Sequence, residues 1–149
     1  MKKIFVFAVV LLSAAPLFLF AQQGEELRSE SDVIQFCEEV MQHLQKKEYD
    51  EGFDLLYDIS VPSMREGVRS LRYNTEDQIK QIQPSFGQIL GFRVLKTENL
   101  SDALLKMTYL LMFEHHALRW EFLFYKPQQQ WVLDNIYWDD TLTKLFAPE

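Results

Sequence analysis

The sequence predicts an α+β domain in which helices come first and pack on one face of a four-stranded antiparallel meander. Three observations carry this. Apolar residues between Asp32 and Gln83 recur at helical spacing. From Phe86 to Asp139 the pattern changes to strand-like runs rich in aromatic and branched residues, separated by short polar turns. No linker, internal repeat or low-complexity segment divides the two halves, apart from the three glutamines at Gln128–Gln130.

The first helix is the most regular. Val33, Phe36, Cys37, Val40, Met41 and Leu44 fall on one stripe. Ser29 or Ser31 can cap it, Glu30 and Asp32 suit its positive end, and Lys46 and Lys47 suit its negative end. Glu48 to Gly52 turns the chain into a short second helix that buries Phe53, Leu56 and Tyr57. Pro62 suits the first turn of a third helix carrying Met64, Val68 and Leu71 on one side. Tyr73-Asn74-Thr75 can interrupt it, with Thr75 capping a further segment that buries Ile79 and Ile82 and stops at Pro84. The pattern allows one kinked helix or two.

The first strand is expected over Phe86–Thr97, with Gly87 and Gly91 marking a bulge or bend and Glu98–Ser101 ending it. The central hairpin joins Ala103–Glu114 to Ala117–Lys126. A two-residue loop at His115-His116 sets Phe113 opposite Leu118, Leu111 opposite Trp120, Tyr109 opposite Phe122 and Met107 opposite Phe124. Those eight share a nearly pure apolar face, because side chains alternate along a strand. Lys106, Thr108, Leu110, Met112, Arg119, Glu121, Leu123 and Tyr125 share a mixed face. His-His is a poor primed-turn pair, and a four-residue loop with the same register is the alternative. A four-residue turn at Pro127–Gln130 then sets Phe124 opposite Leu133 and Phe122 opposite Asn135. This puts Trp131, Leu133, Asn135 and Tyr137 on the apolar face, and Asp134, Ile136 and Trp138 on the mixed one; a three-residue turn reverses that choice.

The chain opens with Lys2-Lys3, an apolar run from Ile4 to Phe20, and Ala21 before polar residues. That order spells a secretory signal over residues 1–21, followed by a polar lead over 22–31 and one domain over 32–149. No cysteine stands at the junction, so it is not a lipoprotein signal. An uncleaved anchor is the competing reading, which Ser13 and Pro16 disfavour. Localisation is therefore expected to be exported, periplasmic before extracellular, with no membrane attachment after cleavage. The chain has 149 residues, 22 acidic against 15 basic. Losing Lys2 and Lys3 makes the remainder more acidic still, which argues against nucleic acid and anionic lipid as partners. Cys37 is the only cysteine, so no internal disulfide forms.

Site chemistry is thin. His115 and His116 are adjacent on a strand-like run and point to opposite sides; with His43 alone elsewhere, no metal-ligand spacing emerges. Cys37 lies on the apolar stripe, turned away from His43, as a small core residue does. Asp139-Asp140 with Asp134 is a weak carboxylate group at a strand end. No catalytic residue, metal or cofactor is assigned. The mixed face is more informative: Leu110, Met112, Leu123, Ile136 and Trp138 around Arg119 leave an apolar area fit for a partner, unless the tail Thr141–Glu149 folds over it.

This order of elements over Asp32–Asp139 resembles the nuclear transport factor 2-like superfamily, a cone-shaped α+β fold. The resemblance is carried by the opening helix, the short helix after Glu48-Tyr49-Asp50-Glu51-Gly52-Phe53, and the turn followed by Trp131-Val132-Leu133. Phe86-Gly87-Gln88-Ile89-Leu90-Gly91 and Leu118-Arg119-Trp120-Glu121-Phe122 are similar to small secreted bacterial members of unassigned function. It implies a curved sheet wrapping the first helix, a pocket at the open end of the cone, and frequent dimers through the outer sheet face. Enzymatic members place Asp, His or Tyr inside the cone. On the register above, the inward polar groups are Tyr109, Asn135 and Tyr137, with Tyr57 and Trp120 near. No inward Asp or His appears. The expectation is an exported, non-catalytic binding or interaction module, a homodimer through Leu110, Met112, Arg119, Leu123, Ile136 and Trp138. An envelope protein or a small apolar ligand is a further expected partner. The alternative is a small-molecule enzyme of the isomerase, dehydratase or hydrolase kind using the cone pocket. An inward Asp or His in an open pocket would favour the second; a filled interior favours the first.

Overall fold

The computed structural model describes residues 26–146. The signal or anchor over 1–21 lies outside the described residues. Three helices precede the sheet: α1 (Glu30–Lys46), α2 (Tyr49–Ile59) and α3 (Arg65–Phe86), with a single 3-10 turn at Pro62–Met64 between the last two. Four antiparallel strands follow in simple order, β1 (Ile89–Leu100), β2 (Leu104–Phe113), β3 (Ala117–Tyr125) and β4 (Val132–Asp139), then a 3-10 turn at Leu142–Phe146. The α+β layout is the one the sequence dictates. Among the described residues no helix is long and apolar enough to cross a membrane.

α1 buries the six residues of its stripe. Ser29 closes a capping box: its Oγ accepts from the Asp32 N–H at 3.1 Å, and the Asp32 carboxylate accepts from the Ser29 N–H at 2.8 Å. The packed domain starts earlier than expected. Leu27, inside the stretch read as a lead, is buried, and its carbonyl accepts from the Trp131 N–H at 2.7 Å. Gly52 lets α2 approach α1, since a Cβ there would sit 3.2 Å from that of His43. α3 is one helix, not two. Thr75 is no cap but a buried mid-helix residue, in line with Val68 and Ile79. Pro84 falls in the last turn, where the helix ends at Gly87 anyway.

β1 begins three residues later than expected and keeps Glu98–Leu100, because the chain reverses at Ser101-Asp102. Both sit at positive φ (57° and 53°), the geometry that matches strand twist. The central hairpin turns through the three residues Glu114–His116, neither the two- nor the four-residue loop expected, and not in the expected register. Leu111 lies opposite Leu118, Tyr109 opposite Trp120 and Met107 opposite Phe122, a displacement of two residues. The loop is held from outside the hairpin. The Glu114 N–H donates to the Gln88 carbonyl and the His115 N–H to the Phe86 carbonyl, at 3.1 and 2.9 Å. A two-residue displacement preserves which side chains share a face, so the expected apolar face is the core face.

β4 corrects the sequence reading. Phe124 pairs with Leu133 as expected, but the next pair is Leu123 with Asn135, leaving Asp134 as an extra residue in a bulge. Beyond it every side chain changes face. Ile136 lies opposite Phe122 and Trp138 opposite Trp120, on the core side. Asn135 and Tyr137 pair with Leu123 and Glu121, on the outer side. The bulge is braced by the α2–α3 junction, where the Val61 N–H donates to the Leu133 carbonyl at 3.0 Å. The gain is clear: two large apolar groups enter the core in place of an amide and a phenol.

Candidate functional site

The five residues read as pocket-lining do not converge. Tyr109 and Trp120 are neighbours in the middle of the core, fully buried. Phe122 meets Tyr109 edge-on at 5.9 Å, and Phe53, Phe122 and Trp138 surround Trp120 at 5.8 to 6.5 Å. The Tyr109 hydroxyl and the Trp120 indole N–H have no hydrogen-bond partner. Burial, and then the proximity of Cys37 and Glu38, pushes the Tyr109 phenol far above its ordinary range. Tyr57 is half-buried on the helical side, packed against the edge of the core. The guanidinium carbons of Arg65 and Arg69 lie 5.4 and 5.0 Å from its ring centre, and its hydroxyl accepts from Arg69 at 3.1 Å. Asn135 and Tyr137 face outward and are exposed.

The residues read as an interface divide. Ile136 and Trp138 belong to the core side: Trp138 stacks on Trp120 and donates its indole N–H to Thr75 Oγ1 at 2.8 Å. Leu110, Met112 and Leu123 stay half-buried on the outer face, where exposed Tyr125 and Tyr137 join them. Among them sits Arg119, only 5% exposed. Its guanidinium bonds Glu121 at 2.9 Å and Asp139 at 2.8 Å and lies 5.4 Å from the Tyr137 ring centre, while its Nε is buried without an acceptor. Tyr137 donates its hydroxyl to Glu121. Burial and that carboxylate push its phenol up to about 12. Asp139 also holds the tail, through Lys144 at 2.7 Å and the Thr141 N–H at 3.1 Å. Against the upward pull of burial, hydrogen bonds from Lys144, Arg119 and Thr141 hold its carboxyl below the ordinary range. The tail turn at Leu142–Phe146 lies against β3, yet Phe146 is 86% exposed, so cover of the outer face is incomplete.

The remaining candidates make only local contacts among the described residues. His115 is exposed in the loop, His116 stands edge-on to Phe86 at 4.5 Å, and His43 contacts Glu48 at 2.8 Å. Among the described residues no group of three or more His, Cys, Asp or Glu is placed to hold a metal ion. Cys37 is fully buried, and burial pushes its thiol well up.

Sequence reasoning missed a cavity of about 460 Å³ at the other end of the helical layer. It lies where the α2–α3 junction, with Ile59, Val61 and Pro62, faces Leu27 and the β3–β4 hairpin at Trp131 and Val132. Arg65, the first residue of α3, lines it. One wall is Leu27, whose docking has no local signature in the sequence.

No protein-family model matches the chain, and no curated protein matches it. Several solved structures were found to be similar, among them these two. One is a DUF4783 family protein from Bacteroides uniformis, 20% identical, with a TM-score of 0.32. The match covers 47% of this chain and 63% of that one, less than two thirds of its length. The other is a designed nuclear transport factor 2-like protein, 15% identical, with a TM-score of 0.41, over 74% of this chain and all of that one.

Proposed function

We propose that this chain is an exported, non-catalytic interaction module of nuclear transport factor 2-like architecture, which self-associates through the outer face of its sheet. The observation that carries this reading is the surroundings of Arg119. Leu110, Met112, Leu123 and Tyr137 flank an arginine fixed by two carboxylates. An apolar patch enclosing an ordered charge network is what a specific protein contact needs, and it is poorly placed in bulk water. The architecture is inferred from the order of elements, three helices and then a four-stranded meander. The export reading rests on Lys2-Lys3, the apolar run and Ala21.

The interior favours this over the enzymatic alternative. Aromatic rings crowd Tyr109 and Trp120, and among the described residues no aspartate or histidine is buried. Sedimentation velocity over a dilution series tests the reading. A dimer that dissociates on dilution is expected; a monomer at every concentration overturns it.

A further inference from the structure

We propose that the cavity between the α2–α3 junction and the β3–β4 hairpin binds a small amphipathic monoanion, an alkyl or aryl monocarboxylate, with its carboxylate on Arg65. The proposal does not rest on self-association: none of Leu110, Met112, Arg119, Leu123 and Tyr137 lines the cavity.

Size and lining fit such a ligand. At about 460 Å³ the cavity falls within the range of small-molecule sites. Its walls are Leu27, Ile59, Val61, Pro62, Trp131 and Val132. Two of its polar groups are already engaged: Glu26 is held by Arg28, and Ser60 donates its hydroxyl to the Leu56 carbonyl at 2.6 Å. That leaves Arg65 and Asp58 as the charges to be answered.

Arg65 differs from the other arginines of its helix. Arg69 is paired with Glu66 and Arg72 with Asp50, whereas among the described residues no carboxylate pairs with Arg65. Its Nε is buried without an acceptor. Its guanidinium is nevertheless held in place, stacked over Tyr57 at 5.4 Å. A planar, fixed and unneutralised guanidinium beside an apolar cavity is suited to grip a carboxylate by two parallel hydrogen bonds. Asp58 at the same cavity, and a formal net charge of −7, oppose a second negative charge on the ligand. Monocarboxylates are thus preferred over phosphates.

The experiment uses the protein as purified from cells that process it, its N-terminus fixed by mass spectrometry. Octanoate, octanamide and octyl phosphate are titrated while the methyl resonances of Ile59 and Val61 are followed by NMR. Octanoate is expected to bind saturably, with intermolecular NOEs to those methyl groups. Arg65→Gln is expected to weaken octanoate about tenfold or more, the usual effect of losing a charge-assisted hydrogen bond, and to leave octanamide unchanged. Octyl phosphate is expected to bind more weakly than octanoate and to gain in Asp58→Asn. Circular dichroism shows whether each variant is folded. If Arg65→Gln does not fold, the wild-type preference for octanoate over octanamide, with the NOEs, decides. Equal affinity for octanoate and octanamide, absence of NOEs to Ile59 and Val61, or an Arg65→Gln protein that retains full octanoate affinity would each overturn the proposal.

Discussion

Trp138 and Thr75 are joined across the core by a hydrogen bond of 2.8 Å from the indole Nε1 to the threonine hydroxyl. Residues 63 positions apart in sequence thus tie the last strand to the middle of α3. Thr75→Val keeps the shape and removes the acceptor, leaving the indole N–H unsatisfied. A loss of about 1–3 kcal/mol is expected. Urea unfolding of Thr75→Val, Trp138→Phe and the double variant checks it. The double variant is expected to lose less than the sum of the singles.

The bulge at Asp134 makes a sharper claim. Trp138→Glu or Ile136→Glu would place a charge in the core and is expected to cost several kcal/mol, about 3 or more, or to unfold the domain. Tyr137→Glu, the intervening residue, is expected to leave a folded protein. Deleting Asp134 would remove the extra residue, so that Asn135 follows Leu133 directly in a regular strand with Ile136 and Trp138 still on the core side, and the cooperative transition is expected to persist. Thermal melts followed by near-ultraviolet circular dichroism separate these outcomes.

These two relationships show what was legible in the sequence. The stripe of α1 was, because helical spacing needs no knowledge of partners. The faces of β2 and β3 were too, although their register was displaced by two residues, because a shift of two keeps every side chain on its side. The C-terminal half of β4 was not, since a bulge adds one residue and reverses everything after it. A signal was nevertheless present: Leu133 is apolar at an odd position and Ile136 and Trp138 at even ones, a change of parity within six residues. The mistaken split of interface and pocket follows from that one residue. The cavity at Arg65 was illegible for another reason, since its walls come from three separate parts of the chain.

Asp139 gives a pH dependence of defined sign. Its carboxyl is held below the ordinary aspartate value of 3.8 by Lys144, Arg119 and the Thr141 N–H, against the opposing effect of burial. A lowered folded-state pKa means stability that is fully present above 3.8 and is lost as pH falls through the lower folded value. In Asp139→Asn that contribution is absent. The stability difference between wild type and variant is therefore expected to be constant near neutrality, to shrink below pH 3.8, and to disappear in stronger acid. Denaturant titrations at a series of pH values measure it.

Gly87 turns the chain from α3 into β1 at φ 84° and ψ −160°, a region open essentially to glycine alone. A Cβ there would also lie 2.7 Å from the Cβ of Glu114, whose carboxylate accepts from the Gln88 N–H at 2.9 Å. Gly87→Ala is expected to destabilise by about 1–3 kcal/mol or more. Glu114→Gly removes that Cβ together with the carboxylate, so a measurable part of the loss should return in the double variant, measured against Glu114→Gly alone.

The outer sheet face is tested most directly by sedimentation of Leu110→Glu combined with Leu123→Glu, beside the wild type and with circular dichroism on both. These side chains stand on the outer face beside Arg119 and its carboxylates. The expected result is a folded monomer where the wild type is a dimer. A folded variant that still dimerises would contradict the account, because association would then use another surface.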